Sequence, residues 1–469
     1  MALIIFIVAA LAYLLLAIKR LKLALQILLG LLFAYLWRAK LLGVPSTFLE
    51  VMIIISFVVC FWQNRLTLAG NLKNKLRQAS QSRRYPFDWG IVAWLLLAVL
   101  AFAVGGWTIA GLGLLKAYFL EPLLLWIVVF NIFGVNKDWS GIIRPLVISA
   151  GLASILAWYQ YFFDLTFANP VWGAAPFNRP ISWYDNPNAL GLFAVPIVVL
   201  GLGWIGLRWQ QDGRSKRFWA DLAMVSTSMV LALGGIVFAR SAGSAIGLLA
   251  GLAVLALLWN RQTRRALIVV IAIFILSLSW TPIRQKVWEA ATLSNLSGEI
   301  RKQQWRETWA MLSGARFWTG AGLANYQTAV APYHQPGIYY NAEHDSDFRR
   351  KIVIFDDKYK AAHWQPTEIY LYPHNILLNF WSELGLAGAL LFVWLVAKYL
   401  TISYKIARLP AAKADRLLAV GLFAAMIALI VHGLVDVPYF KNDLAVLFWT
   451  LFALVAMLKA VYLPEGKIK

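Results

Sequence analysis

The chain has 469 residues, 61% of them hydrophobic and only 14% charged, and carries a formal net charge of +21. A water-soluble chain has about a quarter of its residues charged, so this balance excludes an ordinary soluble globular protein. The positive charge does not mark a nucleic-acid binder, because it sits in short connections with no aromatic-basic RNA or DNA motif beside it.

Apolar runs recur from end to end at about 17–25 residues, the length that crosses a hydrocarbon core of roughly 30 Å. They predict helices over residues 2–18, 23–37, 46–62, 88–105, 109–132, 142–163, 189–207, 218–238, 244–260, 265–281, 373–397, 417–435 and 443–462. The expected fold is all-α, a polytopic transmembrane bundle of about 12–13 helices, with the lower number if one of the two short N-terminal runs is re-entrant. The first run, ALIIFIVAALAYLLLAI, lacks a basic n-region and reads as a retained helix, not a cleaved signal. The 23 Trp residues suit the membrane interfaces, where an amphipathic ring sits at headgroup depth. Cys60 is the single cysteine, so no disulfide forms within the chain.

Basic residues cluster in four connections: Arg65 to Arg84, Arg208 to Arg217, Arg261 to Arg265, and Lys398 to Arg416. Short Lys/Arg-rich loops face the cytoplasm. The N-terminus, residues 164–188, the turn at Arg240 and the long stretch 282–372 then fall on the opposite face. The chain divides into N-terminal helices (1–281), a large extracytoplasmic loop region with short helices (282–372) and C-terminal helices (373–469), all within one integral membrane domain. His334, His344, His363 and His374 lie in or border the loop region. An amphipathic helix is expected at 298–313, where Trp305, Trp309 and Leu312 share a face at i, i+4 and i+7. Such a helix suits the membrane surface.

Ionisable side chains at membrane depth are costly, so by default they are functional or paired. Arg240 interrupts the apolar sequence between 218 and 260; it is either a snorkelling turn residue or a fixed cation facing an anionic substrate. Arg179 precedes the helix near Asn188, and its planar guanidinium suits bidentate contact with phosphate. Asn186 and Asn188 flank Pro187 and read as turn and capping residues. Arg301 and Arg306 lie on the amphipathic segment, either solvated or turned towards the same anion. Pro373-His374-Asn375 puts an imidazole at a helix start, as a base near neutral pH or as a capping, interfacial residue. Asn375 supports geometry at most, since an amide cannot take a proton. Glu383 follows about 13 Å further along at a rise of roughly 1.5 Å per residue, too far to orient His374, so a packing or polar-network role is expected. Gly385 and Gly388 permit close helix approach. His432 and Asp436, at i and i+4, read as a hydrogen-bonded structural pair. Glu343-His344-Asp345-x-Asp347 offers oxygen and nitrogen ligands, but neither HExxH nor paired-cysteine spacing supports it. No metal or cofactor is expected.

Seven stretches together resemble the O-antigen ligase and polymerase superfamily of bacterial cell-surface glycan assembly. They are GVPSTFLEV (43–51), LKAYFLEPLLL (115–125), RPISWYDNPNALG (179–191), RSAGSAIG (240–247), RKQQWRETWAML with GAGLANY (301–312 and 320–326), PHNILLNFWSELGLAG (373–388) and HGLVDVPYFKND (432–443). They span most of the chain in the family's order. The resemblance implies glycosyl transfer from an undecaprenyl-pyrophosphate-linked glycan to an acceptor hydroxyl, on a glycan, lipid or protein, at the outer face of the cytoplasmic membrane. By match to the family's motifs, His374 is the base, and Arg240 and Arg301, in preference to Arg306, hold the pyrophosphate, with Arg179 a third candidate. The turn departs from the family's common Ser-Arg-Gly, reading Ala239-Arg240-Ser241 here. Ligase is the first reading and polymerase of lipid-linked repeat units the second. A transporter or flippase of a charged lipid is the rival from another class; it should show paired broken helices or inverted repeats, and the sequence shows neither.

Overall fold

The computed structural model describes residues 2–41, 44–78, 87–134, 136–163, 170–173, 178–212, 215–354, 357–413 and 415–463. Arg83, Arg84 and Arg214, and the basic C-terminus, lie outside the described residues.

The two N-terminal apolar runs form one interrupted helix, α1 (Ala2–Gly30), which breaks at Arg20 (φ −147°, ψ 64°). Its arms fold back on each other: Tyr13 OH donates to the Ala24 carbonyl at 3.2 Å, and the rings of Phe6 and Trp37 meet at 5.3 Å. Lys19, Arg20 and Lys22 sit at the bend, so the reversal gathers the charges of an otherwise apolar stretch in one place. A short antiparallel pair follows, β1 (Arg38–Leu41) with β2 (Val44–Thr47), with Arg38 opposite Thr47. Next come α2 (Phe48–Gln78), α3 (Asp88–Val104), α4 (Ile109–Leu114), a π-helical turn (Leu115–Leu120) and α5 (Glu121–Gly134). They are followed by α6 (Ser140–Phe163), α7 (Pro170–Gly173), α8 (Pro187–Asp212), α9 (Lys216–Phe238), α10 (Ala242–Trp259) and α11 (Arg261–Ser277). The loop region holds α12 (Thr281–Thr292), α13 (Leu296–Leu312), α14 (Tyr326–Val330), α15 (Phe348–Ile354) and α16 (Asp357–His363). It also pairs β3 (Gly337–Tyr339) with β4 (Trp364–Pro366). The chain then completes α17 (Ile376–Arg408), α18 (Arg416–Gly433) and α19 (Asn442–Tyr462).

Among the described residues nine helices are long and apolar enough to cross a membrane, Leu3–Gly30 counted as one. Arg261–Ser277 and Thr281–Leu312, bent by 106°, make a tenth if taken together, and Phe48–Gln63 and Trp89–Val104 are shorter apolar helices. The centre is packed by α8, α18 and α19. Gly203 and Gly421 let α8 and α18 approach closely, since a Cβ on Gly203 would lie 2.6 Å from Gly421 Cα. By contrast α11 buries none of its side chains, as suits a helix turned to lipid.

Two local outcomes differ from expectation. Helix α13 does not lie polar side outward: it buries Gln303, Gln304, Glu307 and Thr308 and leaves Trp309 55% exposed. The loop region supplies partners for that buried polar face. Gln303 Nε2 donates to Glu307 Oε1 at 3.0 Å, Gln335 N–H donates to the same oxygen at 2.9 Å, and the Thr308 and Tyr326 hydroxyls meet at 2.7 Å. Buried polar groups are tolerated when paired in this way. Helix α17 breaks at Gly385 (φ 74°, ψ 178°). The loop after α13 enters the gap: Leu386 N–H donates to the Trp318 carbonyl at 3.2 Å and Ala321 N–H to Ser382 at 2.6 Å. A Cβ at position 385 would stand 2.2 Å from Trp318 O. So Gly385 admits a loop, not a helix, and Gly388 faces its own Leu384.

Candidate functional site

The residues singled out from sequence meet at one end of the bundle, where α8, α10 and α17 begin and α9 and α18 end. Arg240 occupies the α9–α10 turn with φ 48° and an exposed side chain. Left-handed backbone costs a non-glycine residue roughly 1–2 kcal/mol, and such strain persists where the surroundings over-determine it. Here the supports are Ser241 Oγ, which accepts the Ser244 N–H at 3.3 Å to cap α10, and the Ala239 carbonyl. That carbonyl accepts Arg179 Nε–H at 2.9 Å, which ties the segment before α8 to the Arg240 turn.

Arg179 lies over the Trp172 ring at 5.2 Å and donates through Nη2 to Asn188 Oδ1 at 3.4 Å. Asn188 Nδ2 in turn donates to Asp436 Oδ2 at 3.2 Å. Arg301 reaches in from α13; its Nε–H donates to the Val435 carbonyl at 2.9 Å and Nη1 to Ser297 Oγ at 2.5 Å. Burial, and then the charges of Arg301 and Arg240, hold the Arg179 guanidinium below its usual pKa. Arg179 therefore sits within Coulombic reach of both Arg301 and Arg240. None forms an ion pair with a carboxylate among the described residues. Arg306 does not join them. It is exposed and lines a shallow surface pocket with Lys302, Trp305, Trp309 and Leu378.

His374 also has left-handed backbone (φ 46°). Trp305 Nε1–H donates to the Pro373 carbonyl at 2.8 Å, and His374 Nδ1 lies 2.9 Å from Gln304 Oε1. Since that oxygen only accepts, Nδ1 carries the proton and Nε2 keeps its lone pair. The rings of Tyr370 and Tyr372 flank the imidazole at 5.2 and 5.0 Å. Burial lowers the His374 pKa below 6.5; Asp436 opposes the shift and Arg301 adds to it. Asn375 caps α17, its Oδ1 accepting from Leu377 and Leu378 N–H at 3.0 Å each, while Nδ2 donates to the Leu434 carbonyl at 3.0 Å. Glu383 is buried, with Oε2 accepting Ala324 N–H at 3.0 Å.

The His432–Asp436 hydrogen bond expected from i, i+4 spacing does not form, because α18 ends at Gly433 and Asp436 lies off the helix. Asp436 instead accepts its neighbour Val437 N–H at 2.8 Å and the Asn188 amide. The buried His432 ring packs on α10: a Cβ on Gly243 would lie 2.8 Å from its Nε2. Asn186 caps α8 through Ala189 N–H at 3.1 Å, but Asn188, also expected to cap, bridges Arg179 and Asp436. Asn188 and Gln304 thus become site residues that no local spacing marks; the one hint is the position of Gln304 beside Trp305 in RKQQWRETWAML, since both contact residues 373–374. Further along the loop, Asp345 accepts from Lys351 at 2.5 Å and Tyr359 at 3.2 Å, and His344 Nε2 lies 3.4 Å from Glu289. No group of three His, Cys, Asp or Glu among the described residues is placed to hold a metal ion.

Residues 227–393 match the family model for O-antigen ligase. A comparison with the curated proteins finds no match. The matched stretch contains Arg240, Arg301, Arg306, His374, Asn375 and Glu383, whereas Arg179, His432 and Asp436 lie outside it. The chain has several helices long and apolar enough to cross a membrane, and the stretch from the end of α9 into α17 is similar to the O-antigen ligase family.

Proposed function

We propose that the chain transfers a glycan from an undecaprenyl-pyrophosphate carrier to an acceptor hydroxyl at the outer face of the bacterial cytoplasmic membrane. One observation carries this reading: three arginines without carboxylate partners among the described residues stand at the same end of the bundle as a histidine whose Nδ1 meets Gln304 and whose Nε2 has no partner among those residues. Arg179, Arg240 and Arg301 hold the pyrophosphate and neutralise the charge that grows on it as the glycosidic C–O bond breaks. The acceptor oxygen attacks the anomeric carbon, its proton passes to His374 Nε2, and lipid pyrophosphate departs. A depressed His374 pKa keeps the imidazole neutral, and so able to accept that proton, at pH 7. Lipid pyrophosphate is already a good leaving group, so charge neutralisation and a positioned base suffice and the reaction needs no metal in this scheme.

The test is an assay of purified protein with lipid-linked glycan and acceptor, run in EDTA. His374→Ala should bind donor as the parent does and lose roughly 10²–10⁴-fold in transfer, the contribution of a positioned base. Near-parental transfer by this variant would falsify the base assignment, and loss of parental transfer in EDTA overturns metal independence. Elongation of lipid-linked repeats with no second acceptor added moves the assignment from ligase to polymerase. With Cys60 removed, Ser346→Cys should react with an impermeant thiol reagent on intact cells; protection there overturns the outer-face placement.

A further inference from the structure

At the end of the bundle away from the site, α1, α6 and α9 leave an open groove of about 470 Å³ between them. Its lining follows α6 from Ser140 to Leu152, a run of about 18 Å at a rise of roughly 1.5 Å per residue. Lys22 Nζ meets Asp138 Oδ2 at 2.6 Å, and a Cβ on Gly30 would lie 3.9 Å from Pro145 O. The second arm of α1 therefore runs in step with α6, and Gln26 stands near the start of that helix. The polar part of the lining, Gln26, Ser140 and Arg144, is gathered there. Ile148 and Leu152, one and two turns past Arg144, continue it as an apolar wall with Leu31 and Met224.

The charges indicate which occupant. Asp221 Oδ2 accepts from Arg144 and lies 3.5 Å from Arg208 Nη2, so one carboxylate serves two guanidiniums and a positive charge remains. Arg144 also lies over the Trp204 ring at 5.7 Å, and Trp204 Nε1–H donates to Ser140 Oγ at 3.1 Å, which fixes the cation at the polar end of the groove. Lys19, Arg20 and Lys137 are exposed beside the Lys22–Asp138 pair in sequence, and none of the three pairs with a carboxylate among the described residues. An apolar groove that ends in fixed positive charge matches an amphiphile with an anionic head. Half of a hydrocarbon core of roughly 30 Å is about 15 Å, so the groove has the length of one leaflet. The tail of a polyprenyl phosphate is far longer than that, and a zwitterionic lipid brings no net charge to meet the excess. Basic pockets between membrane helices hold anionic lipid head groups in this way. We propose that this groove binds one anionic phospholipid, its phosphate at Arg144 and one acyl chain along Ile148 and Leu152. The inference is independent of the glycosyl-transfer reading, whose residues lie at the other end of the bundle.

The test uses the full chain in detergent micelles and native mass spectrometry, with phosphatidylglycerol, phosphatidylethanolamine and undecaprenyl phosphate as probes. The first phosphatidylglycerol should bind the parent at least about fivefold more tightly than the first phosphatidylethanolamine, the effect of one cation at a headgroup. Ile148→Trp, which fills the groove and leaves every charge in place, should reduce that preference to near unity. Arg144→Gln should do the same while Asp221 keeps Arg208, and Arg144→Lys should restore part of the preference. Leu152→Trp, at an exposed position on the same wall, covers the case in which the other variants fail to fold. Phosphatidylglycerol with a photoreactive tail should crosslink to α6 near Leu152. Equal affinity for the two phospholipids, an undiminished preference in the folded groove-filling variants, or crosslinks confined to other helices overturns the site. Undecaprenyl phosphate that binds more tightly than phosphatidylglycerol, and is lost in Ile148→Trp, overturns the assignment to a phospholipid.

Discussion

Arginines at the two ends of this bundle live differently. At the end away from the site, Arg144 and Arg208 both pair with Asp221. At the other end, Arg179 lies within Coulombic reach of Arg301 and Arg240, and among the described residues the hydrogen bonds of Arg179 and Arg301 go to neutral partners, namely Ala239, Asn188, Val435 and Ser297. A cation that serves the fold is given its counter-charge by the chain. One left with neutral donors and acceptors is positioned but not neutralised, which is what the proposed pyrophosphate site requires. Arg→Ala variants at the two ends should therefore fail in different assays.

The largest effect belongs to the uncompensated end. Arg240→Ala should lower transfer by at least roughly 100-fold, the loss on removing one donor to developing charge, with unchanged thermal unfolding. Arg240→Lys should recover only part of it, because a point charge lacks bidentate geometry. Parental turnover by Arg240→Ala would end its role. At the compensated end the expected loss is in stability. Asp221→Ala leaves Arg144 and Arg208 facing each other, and breaking a largely buried pair from one side costs about 3–5 kcal/mol. That should appear as a lowered unfolding midpoint, with transfer per folded molecule preserved. Equal activity losses at both ends would dissolve the contrast.

How much of this was legible in the sequence follows from range. Helix positions came from local apolar length and the cytoplasmic-type clusters from local charge, and the α1 hairpin keeps the two short runs as separate arms. Asn186 reads directly as a cap because capping spans three residues, and its side chain accepts Ala189 N–H. Asn188 and Gln304 do not, since Asn188 bonds Asp436 at a separation of 248 residues and Gln304 bonds His374 at 70. The misread pair shows the same limit from the other side. His432 and Asp436 have helical spacing, but Gly433 ends α18 between them, so a local rule was applied across a boundary it does not reach.

A smaller effect sharpens the link between the arginines and the base. His374 titrates below 6.5 because of burial and Arg301, against Asp436. Removing the positive neighbour in Arg301→Ala should raise that pKa, and Asp436→Asn should lower it further. The imidazole is neutral above its pKa, so the acid limb of transfer moves with it: to higher pH when Arg301 is lost, to lower pH when Asp436 is. With only five histidines in the chain, an NMR titration can follow His374 directly even in variants too slow to assay. An unmoved resonance in both variants breaks the electrostatic coupling.

The smallest effect is expected at Arg306. It shares α13 with Arg301, five residues on, which is roughly 140° around a helix of 3.6 residues per turn. Arg301 therefore points to Val435 and the arginine cluster, while Arg306 is exposed beside Trp309. Removing an exposed charge with no close partner changes free energies by about 0.5 kcal/mol, roughly twofold in rate. Arg306→Ala should thus transfer within about twofold of the parent, where Arg301→Ala fails. A loss at Arg306 equal to that at Arg301 would mean that α13 presents its other face to the carrier. The pyrophosphate would then sit between α13 and the membrane, and the cluster of Arg179, Arg240 and Arg301 would need another explanation.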